Sequence, residues 1–386
     1  MNFKLFNTTP KPLPIVAEVA KKIDVQMNSA IINTNYNTPY CSVYRGSYGY
    51  VFGDAPRNLY PQQLLNFYAS SPMHQNAINY KSMLTSGEGL EFNTGGLDIN
   101  KQIEAEQLKF QLNKVFEGIT LDYYLHARYA LLIHWNEAFT KIIKIERVSA
   151  EKVRIYDIDE ELNALTYIVC QDWRFVGSKF KTTIYPKFDI HNKKDRCQLF
   201  EYMVETPGKL IYNLPTYSSG LEIIALDASW AASNAAMVNN MVAPSLVASF
   251  YNVPDTQEKA DAIRQSMVDS FGGPANRGRV LVSFSPDKET SPEFKQLDPP
   301  KMDSEFLGLS EIIEGKILAA HSINKELLGL GTSSSLGDSG GKMEILMKQF
   351  KYSTIRPTVK NIEMVFNHFS SINGLGNIIK IKEVNI

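Results

Sequence analysis

The sequence predicts an α+β fold: a helical and then stranded block, followed by two long helices that bracket a small βαββ unit. Three observations predict it. Helix-period patterning runs from about residue 60 to 135 and strand alternation from about 141 to 215. At Tyr217 the composition shifts to small, helix-favouring residues. Finally, GLGTSSSLGDSGGKMEILMKQF (329–350) sets a glycine and serine run between two of the longest helical patterns in the chain.

Each element has its reason. Residues 1–45 are rich in Asn, Thr and Pro, and PKPLP holds extended backbone, so an arm with one short helix at 16–23 is expected. From Tyr60 to Leu84 a helix, a break at Pro72 and a second helix are expected, followed by a glycine turn into LEF. Residues 99–118 read as an amphipathic helix and Leu121–Trp135 as another. KIIKIERVSAEKVRIYDIDEELNALTYIV then alternates with β-branched enrichment and reads as strands, as do WRFVGSKFKTTIYP, CQLFEYMVE and KLIYNLP. LEIIALDASWAASNAAMVNN is strongly helical until Ala243-Pro244 ends it. SLVASFYNV reads as a strand, and Pro254 opens a helix over 255–271 that Gly272-Gly273 closes. RVLVSF and EFKQLD read as strands before Asp298-Pro299-Pro300. A long helix is expected from Met302 to about Leu327, with Phe306, Ile313, Ile317 and Ala320 on one stripe, and another over 342–369 with a kink at Pro357; NIIKIKEV is a closing strand.

The bulk numbers narrow the function. A chain of 386 residues with 44% hydrophobic and 11% aromatic content builds a real core, in two or three domains by length. A formal net charge of -1 argues against a protein that coats nucleic acid, though not against one that lets DNA slide past. Cys41, Cys170 and Cys197 form no CxxC pair, which suits a reducing compartment. The N-terminus lacks a signal-peptide core, and no stretch approaches the roughly 18 to 20 apolar residues of a membrane helix, so a cytosolic, membrane-free protein is expected.

The candidate catalytic motifs fail. Gly340-Gly341-Lys342 suggests a phosphate loop, but position 336 is Leu336, Met343 follows the lysine and a helix precedes it. Asp157–Glu161 has Leu162 where an EF-hand needs glycine, and reads as a solvated turn. His126 and His134, eight apart, can share a helix face, with Glu137 near His134, but match no zinc-peptidase spacing. Ser333–Ser335 have no GxSxG setting. No cofactor or metal is expected.

The order of the later segments resembles that of the portal proteins of tailed bacteriophages, in particular the compact HK97-like portal family. ASNAAMVNNMVAPSLVASF is similar to that family's helix, Asn/Ala-Pro break and strand; DTQEKADAIRQSMVDSFGGPANRGRVLVSFSPDKETSPEFKQLD to its helix, glycine turn and strands. ILAAHSINKELLGL resembles a segment of the form IA..F.VP..LLG, with Ile323-Asn324-Lys325 in place of Val-Pro-Pro, and GGKMEILMKQFKYSTIRPTVKNIEMVFN resembles the helix that follows. The likeness covers about residues 215–370.

The resemblance implies a wing (46–220, rejoined by 342–386), stem helices (221–244 and 299–328), a clip (245–298), a tunnel loop (329–341) and little or no crown. It implies a homo-oligomeric ring, usually of twelve subunits, at one capsid vertex of a virion assembled in the host bacterial cytoplasm. Double-stranded DNA would pass through it during packaging and ejection, and terminase, head-tail adaptor and major capsid or scaffold protein would be partners. On this reading Gly329, Gly331, Thr332, Ser333, Ser334, Ser335, Gly337, Asp338, Ser339, Gly340 and Lys342 face DNA. Uncharged hydroxyls there make short-lived phosphate contacts where arginines would clamp. Glu305, Glu311, Glu314, Lys316 and Lys325 are candidates to line the channel, and Ala228, Ala231, Ala232, Ala235 and Ala236 would let neighbouring helices pack closely. Two alternatives remain open: another virion structural protein (adaptor or minor head protein), or an enzyme with the Gly/Ser loop as a lid.

Overall fold

The computed structural model describes residues 44–52, 58–208, 211–240, 246–250, 256–273, 276–277, 280–284, 302–330 and 339–383, with backbone alone at 231–240, 246–250, 260, 264, 267–273, 276–277, 280–284, 302–307 and 339–340. In chain order the elements are β1 Arg45–Gly46, β2 Gly49–Tyr50, α1 Tyr60–Ser70, α2 Pro72–Ser86, β3 Leu90–Phe92, α3 Ile99–His126, β4 Arg128–Trp135, β5 Ile142–Val148, β6 Val153–Ile158, β7 Ala164–Cys170, β8 Thr182–Pro186 and β9 Cys197–Met203. There follow α4 Leu221–Asn240, β10 Leu246–Phe250, α5 Gln257–Phe271, β11 Gly272–Gly273, β12 Asn276–Arg277, β13 Val280–Phe284, α6 Met302–Ala320, α7 Ser339–Phe350, α8 Arg356–Ile372 and β14 Ile379–Ile381.

The fold is α+β, with helices first and small sheets after. Proline opens α2 where the sequence places a break, and the Ser71 side chain accepts from the His74 amide to cap it. The expected helix over Leu121–Trp135 is not formed. One helix, α3, runs on to His126 and stops at Ala127, which takes the left-handed conformation at φ 54 without the aid of glycine. The remainder is β4, the central strand of β5-β4-β9. Ala130 shares a core cluster with Leu199 of β9 and with Val153 and Ile155 of the neighbouring β6-β7-β8 layer, while the alternate residues Leu131 and Ile133 are also fully buried. A strand covered on both faces is apolar throughout, so its sequence mimics a buried helix.

Other expectations shorten. WRFVGSKFKTTIYP begins with a 3-10 turn at Trp173–Phe175, and only its end is strand. Tyr212 of KLIYNLP lies in no strand; its ring stacks on Phe52 at 4.2 Å and its hydroxyl donates to the Tyr50 carbonyl. At Asp159–Asn163 the Asp159 carboxylate accepts from the Glu161 and Asn163 amides, which makes DIDEE the tight solvated turn expected of it.

The C-terminal segment closes the first block. β14 pairs antiparallel with β3, Ile381 opposite Leu90, and Phe366 and Phe369 of α8 meet Phe116 and Phe200 at 5.9 and 5.3 Å. Pro357 sits in the first turn of α8, and a π-helical turn at Lys351–Ile355 precedes it, relieving the clash that proline makes one turn back. β10 and β13 pair in parallel, Leu246 with Val280, across the α5 crossover, with β11 and β12 as a short antiparallel ladder between. The helix expected at 16–23 and the strand at 293–298 lie outside the described residues.

Candidate functional site

The long helices α4 and α6 pack together at their ends nearest the core. Leu221, Ile224 and Ala225 of α4 and Ile313, Ile317 and Leu318 of α6 are buried. A 3-10 turn at Ser218–Gly220 brings backbone against α6 so closely that a Cβ on Gly220 would lie 2.6 Å from the Ala320 Cβ.

α6 ends at Ala320, seven residues short of the expected Leu327. The chain turns through Ser322, at φ 55, and resumes as a 3-10 turn over Lys325–Leu328. Asn324 makes that turn possible: its side-chain oxygen accepts from the Glu326 amide at 3.0 Å. An asparagine acceptor thus starts the turn without proline. Gly329 closes it in the left-handed conformation at φ 71. Residues 331–338, with Gly331, Thr332, Ser333, Ser334, Ser335, Gly337 and Asp338, lie outside the described residues.

Ser339, Gly340 and Lys342 are not in the loop. They fall in the first turn of α7, so the segment between the helices is shorter than 329–341. Lys342 donates to Glu326 Oε1 at 2.8 Å, which ties the incoming and outgoing flanks together. Of the stem candidates, Glu314 and Lys325 face each other at 3.9 Å, Glu311 and Lys316 are exposed, and the Glu305 side chain is outside the description. Exposed pairs of this kind contribute about 0 to 1 kcal/mol each, so they set local charge more than stability.

The end of α6 is held by groups that sequence patterning did not single out. His321 Nε2 lies 2.8 Å from His74 Nδ1, and its Nδ1 lies 3.0 Å from Lys81 Nζ; all three side chains are buried. With Lys81 donating to Nδ1, His321 carries its proton on Nε2 and donates to His74. Tyr217 stacks on His321 at 4.9 Å, meets His74 edge-on at 4.6 Å, and donates its hydroxyl to the Leu125 carbonyl. Lys81 also lies 5.0 Å from the Tyr124 ring. Burial pulls Lys81 down to about 7. Burial, and then the Lys81 charge, lowers His74 to about 3 and lowers His321 as well. The node joins α2, the Tyr217 turn and the root of α6.

No protein-family model matches the chain, and no curated protein matches it. Solved structures do. The fold is similar to that of a chain in the virion of a native gene transfer agent particle, with a TM-score of 0.53 and 13% identity over 85% of this chain and 84% of that one. It is similar to a chain in the neck of the empty particle, computed with C6 symmetry, at 0.53 and 14% over 85% of each. A chain in the neck of the native particle, computed with C12 symmetry, gives 0.52 and 13% over 84% of each. At such identities the likeness is one of fold.

The histidines noted in the sequence do not share a helix. His126 ends α3, and His134 lies in β4, between Cys197 of β9 and Glu146 of β5. Cys197 Sγ is 3.5 Å from His134 Nδ1, and His134 Nε2 is 2.9 Å from Glu146 Oε2. The arrangement mimics a nucleophile, base and orienting carboxylate. However, burial and the Glu146 charge push the Cys197 thiol up, the reverse of what an attacking thiolate needs. No helix among the described residues is long and apolar enough to cross a membrane.

Proposed function

We propose that this chain is a portal protein, the non-enzymatic ring subunit at one capsid vertex of a tailed phage or phage-like particle, assembled in the host bacterial cytoplasm. The observation that carries the reading is the shared fold over 84 to 85% of the chain with components of particles whose necks were computed with C12 and C6 symmetry. The layout supports it further. Two long helices are rooted side by side in an α+β block and lead to the parallel β10-α5-β13 unit at one end and to the Gly/Ser segment at the other.

In this reading α4 and α6 are the stem, β10 to β13 belong to the clip, and 331–338 is the tunnel loop, clasped at its base by Glu326 and Lys342. Subunits form a ring of about twelve, as in the family resembled. DNA passes through the channel during packaging and ejection. Glycines, serines and one aspartate at the loop give contacts too weak to arrest a sliding duplex, since each phosphate neutralised by a cation would add salt-dependent affinity. Glu311 and Lys316 are exposed on α6 and available to the lumen. Terminase and a head-tail adaptor dock on the ring, and major capsid or scaffold protein surrounds it.

Native mass spectrometry with negative-stain class averages tests the reading. A closed ring of about twelve copies around a central hole is expected. A chain that remains monomeric even with its capsid and scaffold proteins present would overturn it, and would favour an adaptor or minor head protein if the chain were still incorporated into particles.

A further inference from the structure

At the C-terminal end of α3, three potential ligands converge. Asp122 and His126 stand four residues apart on the last turn of α3, on one face of the helix. Glu151 reaches the same point from the 3-10 turn at Ala150–Lys152, which leads into β6. One ligand atom from each, two carboxylate oxygens and an imidazole nitrogen, lie within 4.8 Å of one another. Asp122 and His126 are 3% and 1% exposed, while Glu151 is partly open to solvent and provides an entry path.

His126 makes the cluster more than an acidic corner. Neither of its ring nitrogens has a hydrogen-bond partner, and the ring is sealed from bulk water. A neutral imidazole has one donor and one acceptor to satisfy, and leaving a buried polar atom unpaired costs about 1 to 3 kcal/mol. Beside it stand the two carboxylates of Asp122 and Glu151.

Arg147 already spans Asp122, with Nε and Nη2 each 2.7 Å from a carboxylate oxygen. The Ala150 amide also donates to this carboxylate, so two oxygens with four lone pairs accept three bonds and one position is left for a ligand contact. Arg128 and Arg154 add positive charge nearby, with Glu201 set against Arg128 at 3.1 Å. A cation therefore enters a region that already holds three guanidiniums, and affinity below that of an all-cysteine site is expected.

We propose that Asp122, His126 and Glu151 form a divalent metal site for Zn²⁺ or a neighbouring first-row ion, clamping the end of α3 to the 3-10 turn before β6. One imidazole with two carboxylates suits such ions, whereas Ca²⁺ and Mg²⁺ take oxygen ligands alone. Three protein ligands leave a position for water. Metal-ligand bonds near 2.0 to 2.2 Å set ligand atoms roughly 3 to 3.5 Å apart, so binding draws the three side chains inward from their present spread. Glu151, on the more exposed turn, has the most room to move.

The test uses the full chain, stripped with EDTA and then titrated with Zn²⁺ by calorimetry, with metal content measured after gel filtration. One Zn²⁺ per chain is expected, together with a rise in the urea unfolding midpoint that EDTA reverses. His126→Gln and Glu151→Gln should each weaken binding at least tenfold, while His191→Gln, at an exposed histidine, should leave it unchanged. Should His126→Gln fail to fold, Glu151→Gln carries the test, because its side chain is partly exposed. Binding equal to the parent in the Glu151 variant, or a parent that binds no Zn²⁺ above the stripped baseline, would overturn the site and leave Arg147 as the sole counter-ion of Asp122.

Discussion

Lys81 is a buried amine whose nearest polar partner is a neutral imidazole, and this makes a sharp prediction. Its unfolded pKa is 10.5 and its folded pKa about 7. Between those values the unfolded chain holds a proton that the folded chain has released, so stability rises with pH through this window. The difference of about 3.5 pH units corresponds to about 5 kcal/mol in full, and to about 2.5 kcal/mol between pH 7.5 and 9.5. Lys81→Met keeps the volume and removes the titration. It also strips His321 Nδ1 of its donor, a cost that does not depend on pH across this range. Urea unfolding at pH 7.5, 8.5 and 9.5, followed by fluorescence of the buried Trp135 and Trp173 at one protein concentration, should show parent stability climbing about 2.5 kcal/mol relative to the variant. The range stops at 9.5 because buried tyrosines such as Tyr124 and Tyr212, pushed up to about 12, act with the opposite sign above pH 10. His74 and His321, held neutral by burial, act on the other side: as pH falls below 6.5 the unfolded imidazoles take up protons that the folded ones refuse, and stability drops. Parallel pH profiles for parent and variant would refute the reasoning, because they would mean that Lys81 stays charged in the fold.

Three further outcomes are expected. Arg128→Met leaves Glu201, 1% exposed, without its ion-pair partner and removes one of the two donors to each of the Ala150 and Val153 carbonyls, so a loss of about 3 to 5 kcal/mol is expected; adding Glu201→Leu should recover part of it in a double-mutant cycle by urea melts. Gly220→Ala should cost about 1 to 3 kcal/mol through the 2.6 Å approach to Ala320, and pairing it with Ala320→Gly should cost less than the sum of the two single changes in the same assay. Replacing Ser333, Ser334 and Ser335 by arginine should leave the oligomer intact by native mass spectrometry yet slow DNA packaging, increasingly so at low salt; packaging at the parent rate would remove the loop from the DNA path.

What could be read in the sequence was whatever rests on periodicity or on backbone chemistry. The stop at Pro72, the interruption before Pro357, the turn at Asp159 and the βα pattern after residue 245 each follow from a local rule that the fold obeys. The failures have a common cause. β4 reads as helix because burial on both faces erases the alternation that marks a strand, and α3 ends at an alanine in a conformation usually reserved for glycine or asparagine. The sequence pattern runs past the end of α6 because Ser322, another non-glycine residue at positive φ, carries the break. The His74-His321-Lys81 node was invisible for a different reason. His74 and His321 are 247 residues apart, and neither stands in a motif; only the packing of α6 across α2 brings them to 2.8 Å. Patterning reports which face of an element is buried, but it is silent on which buried polar groups will meet. Just past the C-terminal end of α6 those meetings hold His321 in place, ahead of the segment proposed as the loop. Cutting the node by Lys81→Met should therefore be felt at Glu326 and Lys342 as faster amide exchange, although neither residue touches the lysine. Unchanged exchange there would separate the node from the loop and leave it a purely local lock between α2 and α6.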